Sequence, residues 1–251
     1  KESVGIYFFT FDNKNVYANS NLGRDKAAIV ILDPATGKEL EVLYENPDYD
    51  VQDLNYSEKR KVLTTATYES WKVERHFFDE EIKQIFSRLE KDLGNYQINI
   101  TTSTKAEDKF IIRTYSDKSV GAYYLYDKNT DKLDKIADIY PWLKEEELAS
   151  MIPVEYMARD SVKINAYLTL PAGYTLETAK DLPVVVNPHG GPWARDGWYF
   201  NPEVQFLANR GYAVLQPNFR GSTGYGRKFW EISFKQWGLT MQDDVTDGTK
   251  W

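Results

Sequence analysis

Leu182-Pro183-Val184-Val185-Val186 runs straight into Asn187-Pro188-His189-Gly190-Gly191-Pro192-Trp193, and the reading of the whole chain turns on this junction. Consecutive valines, apolar without alternation, read as a parallel strand covered by helices on both faces. The glycines behind them let the backbone turn with its N–H groups pointing into a cleft. Acyl-transfer chemistry needs such groups, because fixed backbone donors stabilise the O⁻ that develops in a tetrahedral intermediate. The same residues also fit a glycine-rich strand-to-helix turn without chemistry, so the stretch alone leaves both readings open.

Working outward, a second apolar strand, Tyr212-Ala213-Val214-Leu215, leads into Gln216-Pro217-Asn218-Phe219-Arg220-Gly221-Ser222-Thr223-Gly224-Tyr225-Gly226. Between the strands lies a helix with clear bounds: Asn201 as N-cap, Pro202 first, Val204, Phe206 and Leu207 on its inner face, and Gly211 as the stop. The order β, α, β with glycine turns implies a doubly wound sheet, with a ligand crevice outside the carboxyl ends of its strands. Trp237-Gly238 and Met241-Gln242-Asp243-Asp244 then open another helix, one of the aspartates being expected to cap it. Upstream, Val154–Ala158 and Ile164–Leu170 read as a hairpin joined by Arg159-Asp160-Ser161.

The first half carries an internal repeat. Ala28–Asp33, Glu74–Asp79 and Ala122–Asp127 align as strand ends whose terminal aspartates stand 46 and 48 residues apart, and the preceding strands at Val16, Val62 and Phe110 keep the same spacing. Short strands at this period are the mark of propeller blades, although three units also fit a plain antiparallel sandwich. Asp33-Pro34-Ala35-Thr36-Gly37 and Asp127-Lys128-Asn129-Thr130-Asp131 supply hairpin turns. In the middle unit, apolar residues at 82, 85, 86 and 89 fit a helix as well as an outer strand, and the sequence leaves both open. Pro141–Leu148 is expected to form a short helix with its proline first, at the crossing between domains.

Composition bounds the function classes. The 251 residues, 42% hydrophobic and 15% aromatic, are ample for a large core. A net charge of −7, from 31 basic and 38 acidic residues without a basic cluster, argues against nucleic acid and anionic membrane surfaces as partners. No apolar run approaches the roughly 18 residues that a membrane span needs. The absence of cysteine excludes disulfides, zinc–thiolate sites and a cysteine nucleophile, and leaves the compartment undecided. Lys1-Glu2-Ser3 is no signal peptide, and the chain is expected to begin inside a longer protein.

The succession of His-Gly-Gly-Pro after a strand, Asn218-x-Arg220-Gly221-Ser222-x-Gly224-Tyr225-Gly226, Trp237-Gly238 and Gln242-Asp243-Asp244 closely resembles the catalytic domain of the prolyl oligopeptidase family of serine peptidases. It looks most like the acylaminoacyl-peptidase and dipeptidyl-peptidase branch. The resemblance is dense from Pro153 to Trp251 and looser, at the level of architecture, before that. One departure concerns the hairpin turn, where Ser161 stands in place of the family's usual glycine. The expected fold is a set of β-propeller blades, about three over residues 1–149, followed by the N-terminal part of an α/β-hydrolase domain over 150–251.

The triad is not complete in this stretch. The nucleophile elbow of the hydrolase fold is Gly-x-Ser-x-Gly with acid and histidine later in the chain, and no such pentapeptide occurs. Arg220-Gly221-Ser222-Thr223-Gly224 puts an arginine at the first glycine position, so Ser222 reads as a loop serine. His76 and His189 both precede any place for the nucleophile; His76 reads as a packed or half-exposed strand residue and His189 as a shaper of the oxyanion loop. The glycines at 221, 224 and 226 lack the spacing of a phosphate-binding loop, and two scattered histidines offer little to a transition metal. The resemblance implies a serine about 20 to 25 residues beyond Trp251.

What the resemblance implies is a piece of a serine peptidase that hydrolyses short peptides by acyl transfer, with no cofactor and no metal. Gly190 and Gly191 are expected to supply a backbone N–H to the oxyanion hole, and His189, Trp193, Arg220, Ser222 and Tyr225 to line the substrate cleft. The 251-residue polypeptide alone is expected to be inert, and homo-oligomerisation of the parent stays open. The rival readings are a carboxylesterase-type hydrolase, disfavoured because simple esterases carry no propeller, and a non-catalytic propeller used as a binding module.

Overall fold

A computed structural model describes residues 2–251. In chain order the strands are β1 (Val4–Phe9), β2 (Val16–Ser20), β3 (Ala28–Leu32), β4 (Glu39–Tyr44), β5 (Val51–Ser57), β6 (Val62–Glu69) and β7 (Val73–Phe77), followed by helix α1 (Glu80–Leu93). Next come β8 (Gln97–Ser103), β9 (Lys109–Tyr115), β10 (Ala122–Asp127) and β11 (Lys132–Asp138). After a single 3₁₀ turn at Glu145–Glu147 follow β12 (Met151–Met157), β13 (Lys163–Thr169), β14 (Val184–Val186), α2 (Pro202–Ala208), β15 (Ala213–Asn218), α3 (Arg227–Glu231) and α4 (Thr240–Lys250).

Three antiparallel meanders, β1-β2-β3-β4, β5-β6-β7 and β8-β9-β10-β11, have the form of propeller blades, and a mixed sheet ordered β12-β13-β15-β14 follows them. Packing divides the chain into two compact units that do not follow chain order. One comprises residues 1–84 with loops 190–195 and 220–242, the other residues 85–189, 196–219 and 243–251. No helix among the described residues is long and apolar enough to cross a membrane.

In the first unit the inner strands of the first blade are buried on both faces. Val16, Ala18, Ala28, Val30 and Leu32 pack together on one side. Tyr17 and Ile29 point the other way, onto Val51, Leu54 and Ala66 of the second blade. This explains why β3 reads as a continuous apolar run, whereas the outer strand β4 is largely exposed. The second blade has only three strands. Asp79 accepts the Ile82 N–H at 2.9 Å and thereby caps a helix that buries Ile85, Phe86, Leu89 and Leu93, so the helical reading of this segment holds. Arg60 grips the same carboxylate through both guanidinium nitrogens, at 2.6 and 2.9 Å, and holds its pKa below the ordinary value. Asp33 and Asp127 use their carboxylates alike, accepting the N–H groups of Ala35 and Asn129 in hairpin turns.

Arg195 anchors its loop to the second blade inside this unit. Its Nη1 donates to the Glu69 carbonyl at 3.0 Å, and its Nη2 donates to the Ser70 carbonyl at 2.9 Å and to the Tyr225 hydroxyl at 3.0 Å. The guanidinium lies 4.6 Å above the Tyr225 ring, and its Nε stands 3.5 Å from the Glu69 carboxylate. Burial pushes the Glu69 carboxyl above its ordinary value, against the pull of Arg195.

In the second unit the central strand β15 is buried throughout and pairs antiparallel with β13 and parallel with β14. The valines of β14 are not covered on both faces as expected. Val184 is 54% exposed, because β14 is the outermost strand of this sheet among the described residues. Asn201 caps α2 as expected, accepting from Glu203 and Val204, but the inner face differs. Val204, Gln205 and Ala208 are buried while Phe206 is exposed beneath Arg210. Gln205 is an acceptable interior residue because its amide is fully used: Nε2 donates to the carbonyls of Asp117 and Ala149, and Oε1 accepts the Ala149 N–H. The helix expected from Pro141 shrinks to the 3₁₀ turn at Glu145–Glu147. In the β12–β13 turn Ser161 takes φ +66, the left-handed conformation that a glycine adopts at least cost.

Neither Asp243 nor Asp244 caps α4, which starts at Thr240. Asp243 instead pairs with Arg159 at 2.8 Å, and the Asp244 carbonyl accepts the Tyr156 hydroxyl. Arg159 also forks onto Asp247, which additionally accepts the Arg159 N–H at 2.8 Å. Together these bonds tie the β12–β13 hairpin to α4.

Replacing Arg195 with methionine strands the Glu69 carboxylate, and should cost about 3 kcal/mol in urea unfolding, part of which Glu69→Gln restores in the double variant. An unchanged midpoint in the single variant would refute the anchoring role. Arg159 holds the Asp247 carboxyl down at about 2, below its ordinary 3.8. A depressed carboxylate stabilises the fold above its unfolded pKa and ceases to do so as the pH falls through its folded one. The stability gap between wild type and Arg159→Met should therefore be full at neutral pH and shrink between about pH 3.8 and pH 2. A gap that stays constant down to pH 2 would exclude this linkage.

Candidate active site

Both glycine-bearing loops leave the carboxyl ends of neighbouring parallel strands. Val184 pairs with Ala213, Val185 with Val214 and Val186 with Leu215, and the Asn187 N–H extends the ladder to the Leu215 carbonyl at 2.8 Å. Just beyond, the Asn218 side chain is clamped to Asp196, its Oδ1 accepting the Asp196 N–H at 2.8 Å and its Nδ2 donating to the Asp196 carbonyl at 3.0 Å. Asn218 has no solvent exposure, so this pair fixes where the first loop returns to the sheet. His189, half-buried, stacks on Phe219 with centroids 4.6 Å apart and planes at 15°. Its ring is therefore held by an aromatic neighbour.

Within the other unit the same two loops meet again, the Thr223 N–H donating to the Ala194 carbonyl at 2.9 Å. Gly191 has φ +130, and a Cβ there would come within 2.9 Å of the Trp193 nitrogen, so only glycine fits. Gly190 and Gly191 are both exposed, and among the described residues the Gly191 N–H donates no hydrogen bond. A solvent-facing amide without a partner, fixed by a turn that only glycine can make, has the form required of an oxyanion donor.

The expected cleft residues divide by exposure. Trp193 stands at the surface, 47% exposed. Arg220, Ser222 and Tyr225 are buried, with Ser222 wholly sealed from solvent. They shape the loop from behind, as the Arg195 anchor on Tyr225 illustrates. The glycines of this loop serve close packing against neighbouring residues. Gly221 has φ +97, and a Cβ on it would lie 2.7 Å from Ser233. Asp50 accepts the Gly226 N–H, the Gly224 carbonyl accepts the Asp50 N–H, and the Tyr225 carbonyl accepts from Lys26. These backbone groups are thus committed within the chain. His76, half-buried on β7 of the second blade, stacks on Tyr44 of the first at 4.0 Å, and burial lowers its pKa.

Sequence reasoning did not single out Arg195, Glu69, Asp50 or Ser233. Each acts through a partner far away in the chain, and no local spacing marks such a pairing.

Comparison with known proteins places the chain among its relatives. Residues 198–251 match the model of the prolyl oligopeptidase family. Dipeptidyl aminopeptidase BIII of Pseudoxanthomonas mexicana is 34% identical over 96% of the chain, and dipeptidyl peptidase family member 6 of Caenorhabditis elegans is 28% identical over 96%. The chain spans 35% of the length of each of these relatives. Among solved structures, a puromycin-hydrolysing peptidase of Mycobacterium tuberculosis superposes on the whole chain with a TM-score of 0.73 at 17% identity, covering 38% of that protein. A prolyl endopeptidase superposes with a TM-score of 0.71 at 14% identity, covering 100% of this chain and 36% of that one. Residues 198–251 thus match the prolyl oligopeptidase family, and in relatives and fold the chain as a whole is similar to its members.

Proposed function

We propose that the protein carrying this chain is a serine peptidase that cleaves short peptides by nucleophilic acyl transfer. In this reading Gly191 gives one backbone N–H to the oxyanion, and the nucleophile, acid and base come from outside residues 1–251. The observation that carries the proposal is the unengaged N–H of exposed Gly191, in the loop that follows a parallel strand. The dipeptidyl names of the relatives favour release of dipeptides from substrate N-termini. The propeller blades weigh against a simple carboxylesterase. A non-catalytic binding module would have no use for a turn at Gly191 that only glycine can make.

The 251-residue polypeptide should be inert by itself. It contains no Gly-x-Ser-x-Gly, and Ser222 is shielded from any reagent. On treatment with an active-site fluorophosphonate, the full-length protein should gain one adduct while the mass of the 251-residue polypeptide stays unchanged. Stoichiometric labelling of the shorter polypeptide would show that the nucleophile is misplaced. The donor itself needs a subtler change, since any side chain at Gly191 disturbs the turn. Replacing the Gly190–Gly191 amide by an ester in the semisynthetic full-length protein deletes only the N–H, and should lower kcat by about 10² to 10³. An unaltered kcat with the fold intact would remove Gly191 from the mechanism.

A further inference from the structure

Directly after Gly191 the chain builds a second feature that the oxyanion role does not require. Trp193 packs edge-on against Trp230, Phe234 and Trp237, with ring centroids 5.5, 5.8 and 6.4 Å away. Its indole Nε1 donates to the Ser233 hydroxyl at 3.1 Å, and that hydroxyl donates to the Trp230 carbonyl at 2.6 Å. Ser233 is fully buried, so the indole is held in one orientation from below. Trp193, Phe234, Lys235 and Trp237 enclose an open cavity of about 500 Å³, a volume in the range of small-ligand sites.

Exposure makes this arrangement costly unless something occupies it. Trp193 is 47%, Phe234 39% and Trp237 66% exposed. Clustered exposed aromatics mark binding surfaces, whereas singly scattered ones need no explanation. Lys235 adds chemistry to the apolar walls. It lines the same cavity, and among the described residues it has no ion-pair partner. In a chain of net charge −7, an unneutralised cation beside an aromatic hollow selects for an anion attached to an apolar body. Position supplies the last element. Trp193 is two residues from Gly191, so their Cα atoms lie within about 7 Å of each other.

We propose that the cavity of Trp193, Phe234, Lys235 and Trp237 is a substrate subsite for an aromatic or large aliphatic side chain whose neighbouring carboxylate pairs with Lys235. The assignment rests on the peptidase reading above and extends it to substrate class: short peptides whose apolar residue, a residue or two from the scissile bond, lies next to a carboxylate. Either the peptide's own C-terminus or an acidic side chain supplies that charge.

The test uses the full-length protein and two kinds of probe. The first has no cleavable bond: 3-phenylpropanoate and its amide, titrated calorimetrically. The acid should bind about fivefold more tightly than the amide, and Lys235→Gln should erase that difference. Trp237→Ala should weaken both by about tenfold. The second is a peptide series with Phe or Gly at the C-terminal position, each as free acid and as amide, together with an amide carrying Asp beside Phe. Discrimination in kcat/KM between Phe and Gly should fall about tenfold in Trp237→Ala and in Phe234→Ala. Preference for the free acid, or for the Asp-bearing amide, identifies which carboxylate is read. Lys235→Gln, a surface change, guards against variants that fail to fold. If phenylpropanoate binds through these residues but no peptide is cleaved, the subsite stands and the peptidase reading falls. If peptides are cleaved while neither probe responds to Trp237→Ala, Phe234→Ala or Lys235→Gln, the subsite is overturned. It is overturned equally if another part of the full-length protein covers the aromatic cluster and excludes the probe.

Discussion

Parallel pairing of the three-residue strand β14 with the first half of β15 is the constraint on which the site depends. Because Val184–Val186 runs alongside Ala213–Leu215 in the same direction, the loops that follow both strands must emerge at one end of the sheet. Nothing in the composition of either loop would bring them together. Side-chain clamps then set the details, Asn218 on Asp196 in one unit and Arg195 on Glu69, Ser70 and Tyr225 in the other. Both are polar groups buried at a cost that close hydrogen bonding must offset. Such groups specify geometry more sharply than apolar packing does.

The division of labour among the glycines follows from this. Gly191 is needed for its own backbone shape, at φ +130. Gly221 is needed because a neighbour, Ser233, already occupies the space a Cβ would take. That same serine carries the Trp193 indole, so the loop after β15 and the aromatic wall are fixed by a single buried hydroxyl.

Much of this architecture was legible in the sequence, because period is a local property. The spacing of Asp33, Asp79 and Asp127 located the third strands of the first and last blades, and the strand before the helix in the middle one. The segment after Asp79 stayed ambiguous since apolar residues at 82, 85, 86 and 89 satisfy two periods, and the deciding interactions, an aspartate cap and an arginine clamp, are not matters of hydrophobicity. Helix α2 was bounded well from its cap and its glycine, yet its inner face was misjudged. Hydrophobicity favoured Phe206, while the interior chose Gln205 because carbonyls at Asp117 and Ala149 needed a donor. Of the site, the glycine turn was readable and the anchors were not. Arg195 looks like any surface arginine until the blade residues that receive it are known.

Among the described residues, β14 forms the outer rim of the last sheet. Since Asn187 donates toward β15, the alternation of a strand turns the peptide groups of Val184 and Val186 the opposite way, outward. Unsatisfied strand edges of this kind recruit foreign chains by β-augmentation and seed aggregates. Here the hazard is contained by covalent structure. Pro183 precedes the strand and Pro188 follows it, and Pro188, next in the outward series, has no N–H to offer. Among the described residues, a strand laid along this side thus finds only the Val184 and Val186 peptide groups to pair with, a short template.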